Sequence, residues 1–506
     1  MVALEDASGS LLQKPSDSAH PVPSRIASNY HPLHTFDLEK HRSYKQQYGD
    51  MYFLRLTKLK PIVDEVAAAA WHDTEIGGER AKRVDRVLDV RQGELCWVTG
   101  TVYMDLALKP NILEDVSKDR WISAPMPVQK YYAGDESDQT MLEDESGRVR
   151  LVGDLLKSMP LVTGCIIAVM GTENVNGELE VIDIKFADLP PQMERWSLSK
   201  PETPNGKVKD EDEEMGDGDV KAGNKIAIVS GLSFSGNDAS YSLDLDLLLE
   251  YLLGEALTPS DQSGISRISR LIIAGNSMSN EERKVAEDVV EKKPPSKRFG
   301  YDSSWYNPHP SQLFDGFLTE LLPSMPVTLM PGVQDPSNGT YPQQPIHPAI
   351  LNSARAYWRE DSAAAEKQQQ QPPGWIDAVT NPWEGEVEGW RVLGTSGQNI
   401  DDMCKYVSSD DRIGMMEAMC RWRCCAPTAP DTLWSYPFQE DDPFVLQNSP
   451  HVYFVGCQPR FSTKVIDGPE GQAIRLIAVP SFSATRELVL VDTETLEVET
   501  VKFKTT

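Results

Sequence analysis

Residues 201–224 hold eight acidic and three basic side chains, no aromatic residue, and no β-branched residue except Thr203, Val208 and Val220. Such a stretch cannot bury enough apolar surface to offset the entropy of ordering it, so it is expected to be an acidic flexible linker. The chain must then build its cores on either side. At 506 residues and roughly 150 residues per domain, about three units are expected.

Upstream, residues 1–28 carry Ser and Pro with few large apolar groups and read as a disordered leader. Neither this leader nor any other stretch has the apolar run of a signal peptide or membrane span. From 29 to 80 the reading is a helical segment, packing on the C-terminal block. Tyr44, Tyr48, Phe53, Leu56, Leu59 and Val63 recur at helical intervals, in two helices or one broken at Pro61. Over 85–195 the period changes to two. Residues 94–106 alternate, 140–152 make two short runs, and 162–172 and 179–186 flank a turn at 174–177, with a helical stretch near 152–158. That spells a small antiparallel barrel of the OB-fold type.

After Lys225 the grammar is α/β. Buried-type strands at 226–229, 271–274, 327–330, 390–393 and 452–455 are interleaved with helices at 243–253 and 312–322, and alternating strands close the chain. A Gln tract near 366–373 reads as a loop.

Charge and cysteines narrow the function. Seventy-seven acidic against 49 basic residues leave a net charge of −28, whereas affinity for phosphate backbones rests on cations. The OB-like span itself has 11 Lys and Arg against 20 Asp and Glu, a balance of −9. Single strands are therefore a secondary reading for it. Seven cysteines without regular spacing suit a reducing compartment.

Chemistry in an α/β layer gathers in loops at strand C-terminal ends. Here those loops read Ser230-Gly231-Leu232-Ser233, Gly275-Asn276, Pro331-Gly332-Val333-Gln334-Asp335 and Gly456-Cys457-Gln458-Pro459. The series resembles the calcineurin-like metallophosphoesterase layout, whose loops read Asp-x-His, Gly-Asp, Gly-Asn-His-Asp/Glu and Gly-His-x-His. On that layout Gly231 and Ser233 stand for the first ligand pair and Asn276 for the bridging carboxylate. Val333 and Gln334 stand for the amide and imidazole, and Cys457 and Pro459 for the last histidines. Asp335 alone keeps a liganding type, and 225–506 holds three histidines, His309, His347 and His451, none in these loops. The expected class is multidomain, all-β plus α/β: an OB barrel and a calcineurin-like phosphodiesterase domain, a layered β-sandwich with flanking helices, without metal ligands, cofactor or catalytic residues.

The order of barrel, linker and metal-free phosphodiesterase-like domain is similar to that of the B-family accessory subunits of replicative DNA polymerases, in particular the small subunits that serve polymerase delta. The resemblance is carried by Arg42-Ser-Tyr-Lys-Gln-Gln-Tyr48, Gly394-Thr-Ser-Gly-Gln-Asn-Ile-Asp-Asp402, Ala426-Pro-Thr-Ala-Pro-Asp-Thr-Leu433 and Val479-Pro-Ser-Phe-Ser-Ala-Thr485, with 231–234, 330–337 and 451–456. It covers about residue 30 to the end. It implies a nuclear, non-catalytic scaffold in DNA replication, repair and translesion synthesis. Such a scaffold bridges the cysteine-rich, metal-binding C-terminal domain of the catalytic subunit to a third accessory subunit, and through that third member to the sliding clamp. Sharing with the catalytic subunit of polymerase zeta is implied too. The alternatives are a residual metal-dependent phosphodiesterase and a single-stranded DNA-binding OB module.

Other constellations are weaker. Cys420, Cys424 and Cys425 lack a Cys-x-x-Cys pair or a nearby histidine and are expected to be buried thiols. Asp431 and His451 with a serine lack a nucleophile elbow. Ser277, Met278 and Ser279 follow Gly275 without a phosphate-binding lysine. Arg421, Arg423 and Arg460 with Trp422 and Phe461 are expected to form a structural cation–π cluster. Trp375, Trp383 and Trp390 with Pro372, Pro373 and Pro382 should fold against their own domain.

Overall fold

A computed structural model of the chain describes residues 23–110, 130–134, 137–195, 223–255, 258–279, 307–358 and 375–504. The acidic linker, apart from Gly223 and Asn224, and the Gln tract lie outside the described residues, as do residues 1–22 of the leader. The rest of the leader is anchored: the Arg25 guanidinium donates to the carbonyls of Leu252, Ile265 and Ile268. Order thus begins before the boundary set at residue 28, because one long cation caps several carbonyls. A little further on, β1 (Tyr30–Pro32) joins a sheet of the C-terminal block.

The helical segment is one helix, α1 (Gly49–Trp71), and runs through Pro61 unbroken; residues 36–48 are not helical. Met51, Leu56, Leu59, Val63, Ala67 and Trp71 form its buried stripe, while Pro61 is exposed, where water can serve the carbonyl its missing N–H leaves free. The stripe packs chiefly on the barrel, against Leu95, Trp97, Ile166 and Met170. Only its N-terminal half also reaches the C-terminal block, through Arg55 and Lys58. Two short pairs follow: β2 (Glu75–Ile76) with β3 (Glu79–Arg80), and β4 (Lys82–Arg83) at the barrel's edge.

Five strands make the barrel: β5 (Leu95–Asp105), β6 (Gln139–Glu143), β7 (Arg148–Val152), β8 (Ile166–Glu173) and β9 (Glu178–Lys185). Their order is β5-β6-β7-β9-β8, and β5 closes the ring by pairing with β8 over Leu95–Thr101 and with β6 over Thr101–Asp105. A one-turn helix, α2 (Leu155–Ser158), spans the third and fourth of them, as in an OB barrel.

Beyond the linker, two six-stranded sheets stack face to face. One contains β10 (Lys225–Val229), β11 (Ile268–Ala274), β12 (Val327–Met330) and β13 (Ile376–Ala378), all parallel, then β19 (Glu487–Asp492) and β20 (Val498–Lys502) antiparallel beyond β10. The other runs β1, β14 (Trp383–Val387), β15 (Trp390–Thr395), β16 (Val452–Gln458), β18 (Ala473–Pro480), β17 (Ser462–Asp467). Alternation decides which layer each side chain enters. Ile226 and Ile228 face the other sheet, with Phe454 and Ile477. Ala227 and Val229 face outward under α3 (Ala239–Leu253) and α5 (His309–Leu321); α4 (Pro259–Ile265) leads into β11. Strands covered on both faces are mostly apolar, which explains the apolar runs in the sequence, and the buried Arg270 of β11 is accommodated by donating to Thr328 Oγ1 of β12 at 2.6 Å. The second sheet is covered by α6 (Gln398–Tyr406) and α7 (Arg412–Arg421), and α8 (Phe482–Thr485) follows β18.

Barrel and sandwich share one apolar cluster, in which Val102 and Leu142 join Met419, Trp422 and Tyr453. Polar clasps flank it. Arg423 donates to the carbonyls of Ala187, Asp188 and Leu189, and Arg421 pairs with Asp188 at 2.6 Å. Among the described residues no helix is long and apolar enough to cross a membrane.

Candidate functional site

Parallel strands send their C-terminal ends the same way, so the loops after β10, β11, β12, β15, β16 and β18 converge at one end of the sandwich. There the sequence-derived positions come together. Asp335 is the anchor: its two carboxylate oxygens accept from the N–H of Met278 at 3.0 Å and of Gly332 at 2.8 Å. Asn276, in a left-handed conformation, accepts from the Gln334 N–H at 3.0 Å through Oδ1, and its carbonyl accepts from the Ser233 N–H. Gly231 donates to the Gly275 carbonyl and accepts from the Ser483 N–H. Cys457 donates from its N–H to Ser230 Oγ, with its sulfur 3.8 and 3.7 Å from the carbonyls of Ala274 and Gly275. Val333 and Pro459 are exposed and turn away from the cluster's interior.

The loops leave no gap for much else. A Cβ on Gly275, whose φ is +87°, would lie 2.3 Å from the Ser396 Cβ. Only glycine fits such an approach in such a conformation.

Burial raises Asp335 to about 6, against the pull of its backbone N–H donors, and burial followed by the nearby Asp335 carboxylate drives the Cys457 thiol well up. Cys457 is thus a neutral thiol at pH 7. As donors for a pair of divalent ions this set does not fit. A bridging carboxylate must turn its lone pairs to two metals, yet Asp335 spends both oxygens on backbone N–H groups and an amide stands at position 276. Among the described residues no three His, Cys, Asp or Glu side chains come together at metal-binding range.

Acidification gives a direct check on the anchor. Between about pH 4 and 6 the folded chain holds an Asp335 proton that the unfolded chain, with an ordinary pKa of about 3.9, has released, so this group's contribution falls as pH rises. In urea titrations the wild-type advantage over Asp335→Asn should shrink across that window and be flat above it. A pH-independent advantage would mean that Asp335 titrates like a surface carboxylate.

Sequence reasoning missed the neutral lattice beneath these loops. Ser230 Oγ donates to the Pro480 carbonyl while accepting from Cys457, joining three strand ends. Asn381, Gln343, Gln398 and Ser396 interlock through amide and hydroxyl contacts of 2.5–2.9 Å, and Gln343 reaches the Gly332 carbonyl at 3.1 Å. The signal was the Ser396-Gly397-Gln398 triplet, which lies inside one of the resemblance stretches.

The remaining candidates are scattered. His451 immediately precedes β16, at the opposite end of the strand from Cys457; its Nδ1 accepts from the Arg391 N–H and its Nε2 donates to the Met193 carbonyl. Asp431 pairs instead with Lys109 and Tyr406. His347 caps a short turn at Ala349, and His309 packs by Gly236 at the head of α5. Cys420, Cys424 and Cys425 are buried, and burial lifts Cys420 to about 12 and Cys424 to about 11. Arg421 and Arg423 make ion pairs and carbonyl bonds rather than the expected cation–π cluster, because the irregular segment that leaves the barrel after β9 brings the Asp188 carboxylate and the carbonyls of residues 187–189 within their reach. Trp383 is buried against Tyr30 and Phe454, and Trp390 donates to the Thr493 carbonyl. On the barrel, Tyr103 has its ring covered by Lys109 at 4.4 Å and Arg148 at 5.0 Å.

Comparison with known proteins gives two family matches. Residues 47–184 match the family described as DNA polymerase delta subunit OB-fold domain, and residues 226–463 match the family of DNA polymerase alpha/epsilon B subunits. The DNA polymerase delta small subunit of Saccharomyces cerevisiae is 35% identical over 491 residues, covering 92% of this chain and 91% of that protein. That of Arabidopsis thaliana is 31% identical over 485 residues, with 96% and 97% covered. That of Oryza sativa subsp. japonica is 33% identical over 478 residues, with 94% and 97% covered.

Proposed function

The chain belongs to the family of DNA polymerase delta small subunits, and from that premise we propose that it is a non-catalytic accessory subunit of a DNA polymerase delta assembly in replication. Its sandwich is a phosphodiesterase-like scaffold in which six of the eight metal positions, Gly231, Ser233, Asn276, Gln334, Asp335 and Cys457, carry structural bonds, while Val333 and Pro459 face solvent. The observation behind this reading is that Asp335 and Asn276 use their side-chain oxygens to pin neighbouring loops. Catalysis would need those oxygens free for metal.

A chain of this kind works through its surfaces. The shared core of barrel and sandwich presents both modules as one body, which suits a stable interface of about 1,600 Å² or more spread across them. In this reading the metal-binding C-terminal domain of the catalytic subunit docks there and a third accessory subunit docks elsewhere, with a nuclear location, service in repair, and sharing with polymerase zeta. The covered face of Tyr103 disfavours the strand-binding alternative, since stacking needs an open ring.

Co-expression with the catalytic subunit's cysteine-rich C-terminal domain tests the proposal. The expected result is a stoichiometric complex that survives gel filtration, hydrolyses no bis-p-nitrophenyl phosphate in manganese, and shifts no labelled single-stranded DNA. Manganese-dependent turnover abolished by Asp335→Asn would instead establish a working phosphodiesterase, and separate elution of the two proteins would remove the scaffold role.

A further inference from the structure

On the outer face of the β10–β13 sheet, α3 and α5 lie side by side, and a trough of about 270 Å³ runs between them. Its floor is apolar, with Tyr241, Leu245, Leu249 and Phe317. Its rim is acidic: Asp238, Asp246 and Glu320 border it, and no Lys or Arg does. Asp238 is spent capping α3, where it accepts from the N–H of Ser240 and Tyr241. Asp246 and Glu320 are exposed, and among the described residues neither is held by a cation.

One residue bordering the trough has no packing reason, among the described residues, to be glycine. Gly316 lies in the middle of the 13-residue α5 and borders the trough, and a Cβ added there would meet nothing within 4 Å. Glycine weakens a helix interior relative to alanine, and the packing of the described residues does not require it. Its missing side chain leaves room for a close approach from outside.

We propose that the α3–α5 trough is a docking groove for a helical segment of another polypeptide, one that lays an apolar edge across Gly316 and sets Lys or Arg side chains against Asp246 and Glu320. An apolar floor with a single-sign rim is the complement of a basic amphipathic helix. Nucleic acid is repelled by the same carboxylates. A second copy of this chain offers the wrong charge here, because α3 and α5 contain no Lys or Arg. The proposal goes beyond the scaffold reading and stands independently of which polymerase subunits dock elsewhere.

The test uses the full chain and a fluorescein-labelled Leu–Lys helix with leucines at i, i+3, i+4 and i+7, read by fluorescence polarisation. Binding is expected to saturate and to weaken by about tenfold or more in Gly316→Leu, which leaves every charge in place, and in Asp246→Lys. Gly316→Ala is expected to raise the melting temperature of the free chain, which shows that the helix tolerates a side chain there. The proposal is overturned by unchanged binding in Gly316→Leu, by equal binding of a Leu–Glu helix, or by a lower melting temperature in Gly316→Ala. Self-association abolished by Gly316→Leu would assign the groove to a second copy, and binding that emerges only after deletion of residues 281–305 would assign it to that segment; either result also overturns the proposal.

Discussion

Asp442→Ala should lower the free energy of unfolding by about 3–5 kcal/mol, the cost of stranding one member of a buried ion pair. Arg55 on α1 donates from Nε to Asp442 at 2.9 Å, and the two side chains are 1% and 0% exposed. Its Nη1 continues to the Pro427 carbonyl at 2.7 Å. Without the carboxylate the guanidinium stays in a dry joint with one carbonyl for company. Arg55→Leu should cost a similar amount, because it leaves the carboxylate behind. The double replacement should cost clearly less than the sum of the two, since it strands neither charge. Urea midpoints for the four proteins supply the cycle, and additive costs would show that the pair is solvated in solution. The location gives the result its functional meaning. Arg55 belongs to the helix on the barrel, while Pro427 and Asp442 belong to the segment between α7 and β16, so this pair helps to hold the two modules as one surface.

Gly164→Ala probes the same joint from the barrel side. Gly164 precedes β8 with φ at +93°, and a Cβ there would stand 2.0 Å from the Pro427 carbonyl oxygen and 2.9 Å from Arg55 Nη1. The first atom is backbone, and the second is held by its bond to that same carbonyl. A methyl group can be seated only by separating barrel and sandwich or by changing a conformation that side chains rarely adopt. Overpacking and positive-φ strain each cost roughly 1–3 kcal/mol, so a loss of about 2–5 kcal/mol is expected. Hydrogen exchange should quicken on both sides of the joint, near residues 187–189 and 423–427. A variant as stable as wild type, with unchanged exchange, would mean that the modules do not press together here.

How much of this was legible in the sequence follows from the range of each interaction. The strand runs at 226–229, 271–274 and 327–330 were readable because a strand covered on both faces is mostly apolar, and each is found within a few residues. The barrel strands β6, β7 and β9 were readable because they are covered mainly on one side and alternate, whereas β5 and β8 are buried on both faces, inside the barrel and beneath α1. Pro61 misled, since its effect depends on which way the helix faces: on the exposed side of α1 it is tolerated. Arg25 misled for a related reason. Nothing local to a Ser- and Pro-bearing leader shows that carbonyls some 230 residues away will be waiting for it.

The candidate site divides in the same way. Residue types at the strand ends were enough to show that these loops hold no histidine and, of the eight positions compared, one carboxylate, because a ligand is a chemical identity and identities are written in the chain. What those positions do instead was invisible until the loops met. Asp335 is a two-armed clamp, and Ser230, Asn381, Gln343 and Gln398 form a neutral lattice, and neither could be read from the chain because each contact joins segments distant in it. Likewise, the acidic helices around 239–253 and 309–321 could be read one at a time, but a trough exists only between them. The amino-acid sequence determined which strand runs bury themselves and which functional groups stand at their ends, since burial preference and functional groups belong to residues. The tertiary structure alone decided how barrel and sandwich lock together and where the surface is left unmatched, since those outcomes depend on which distant groups find one another at close range.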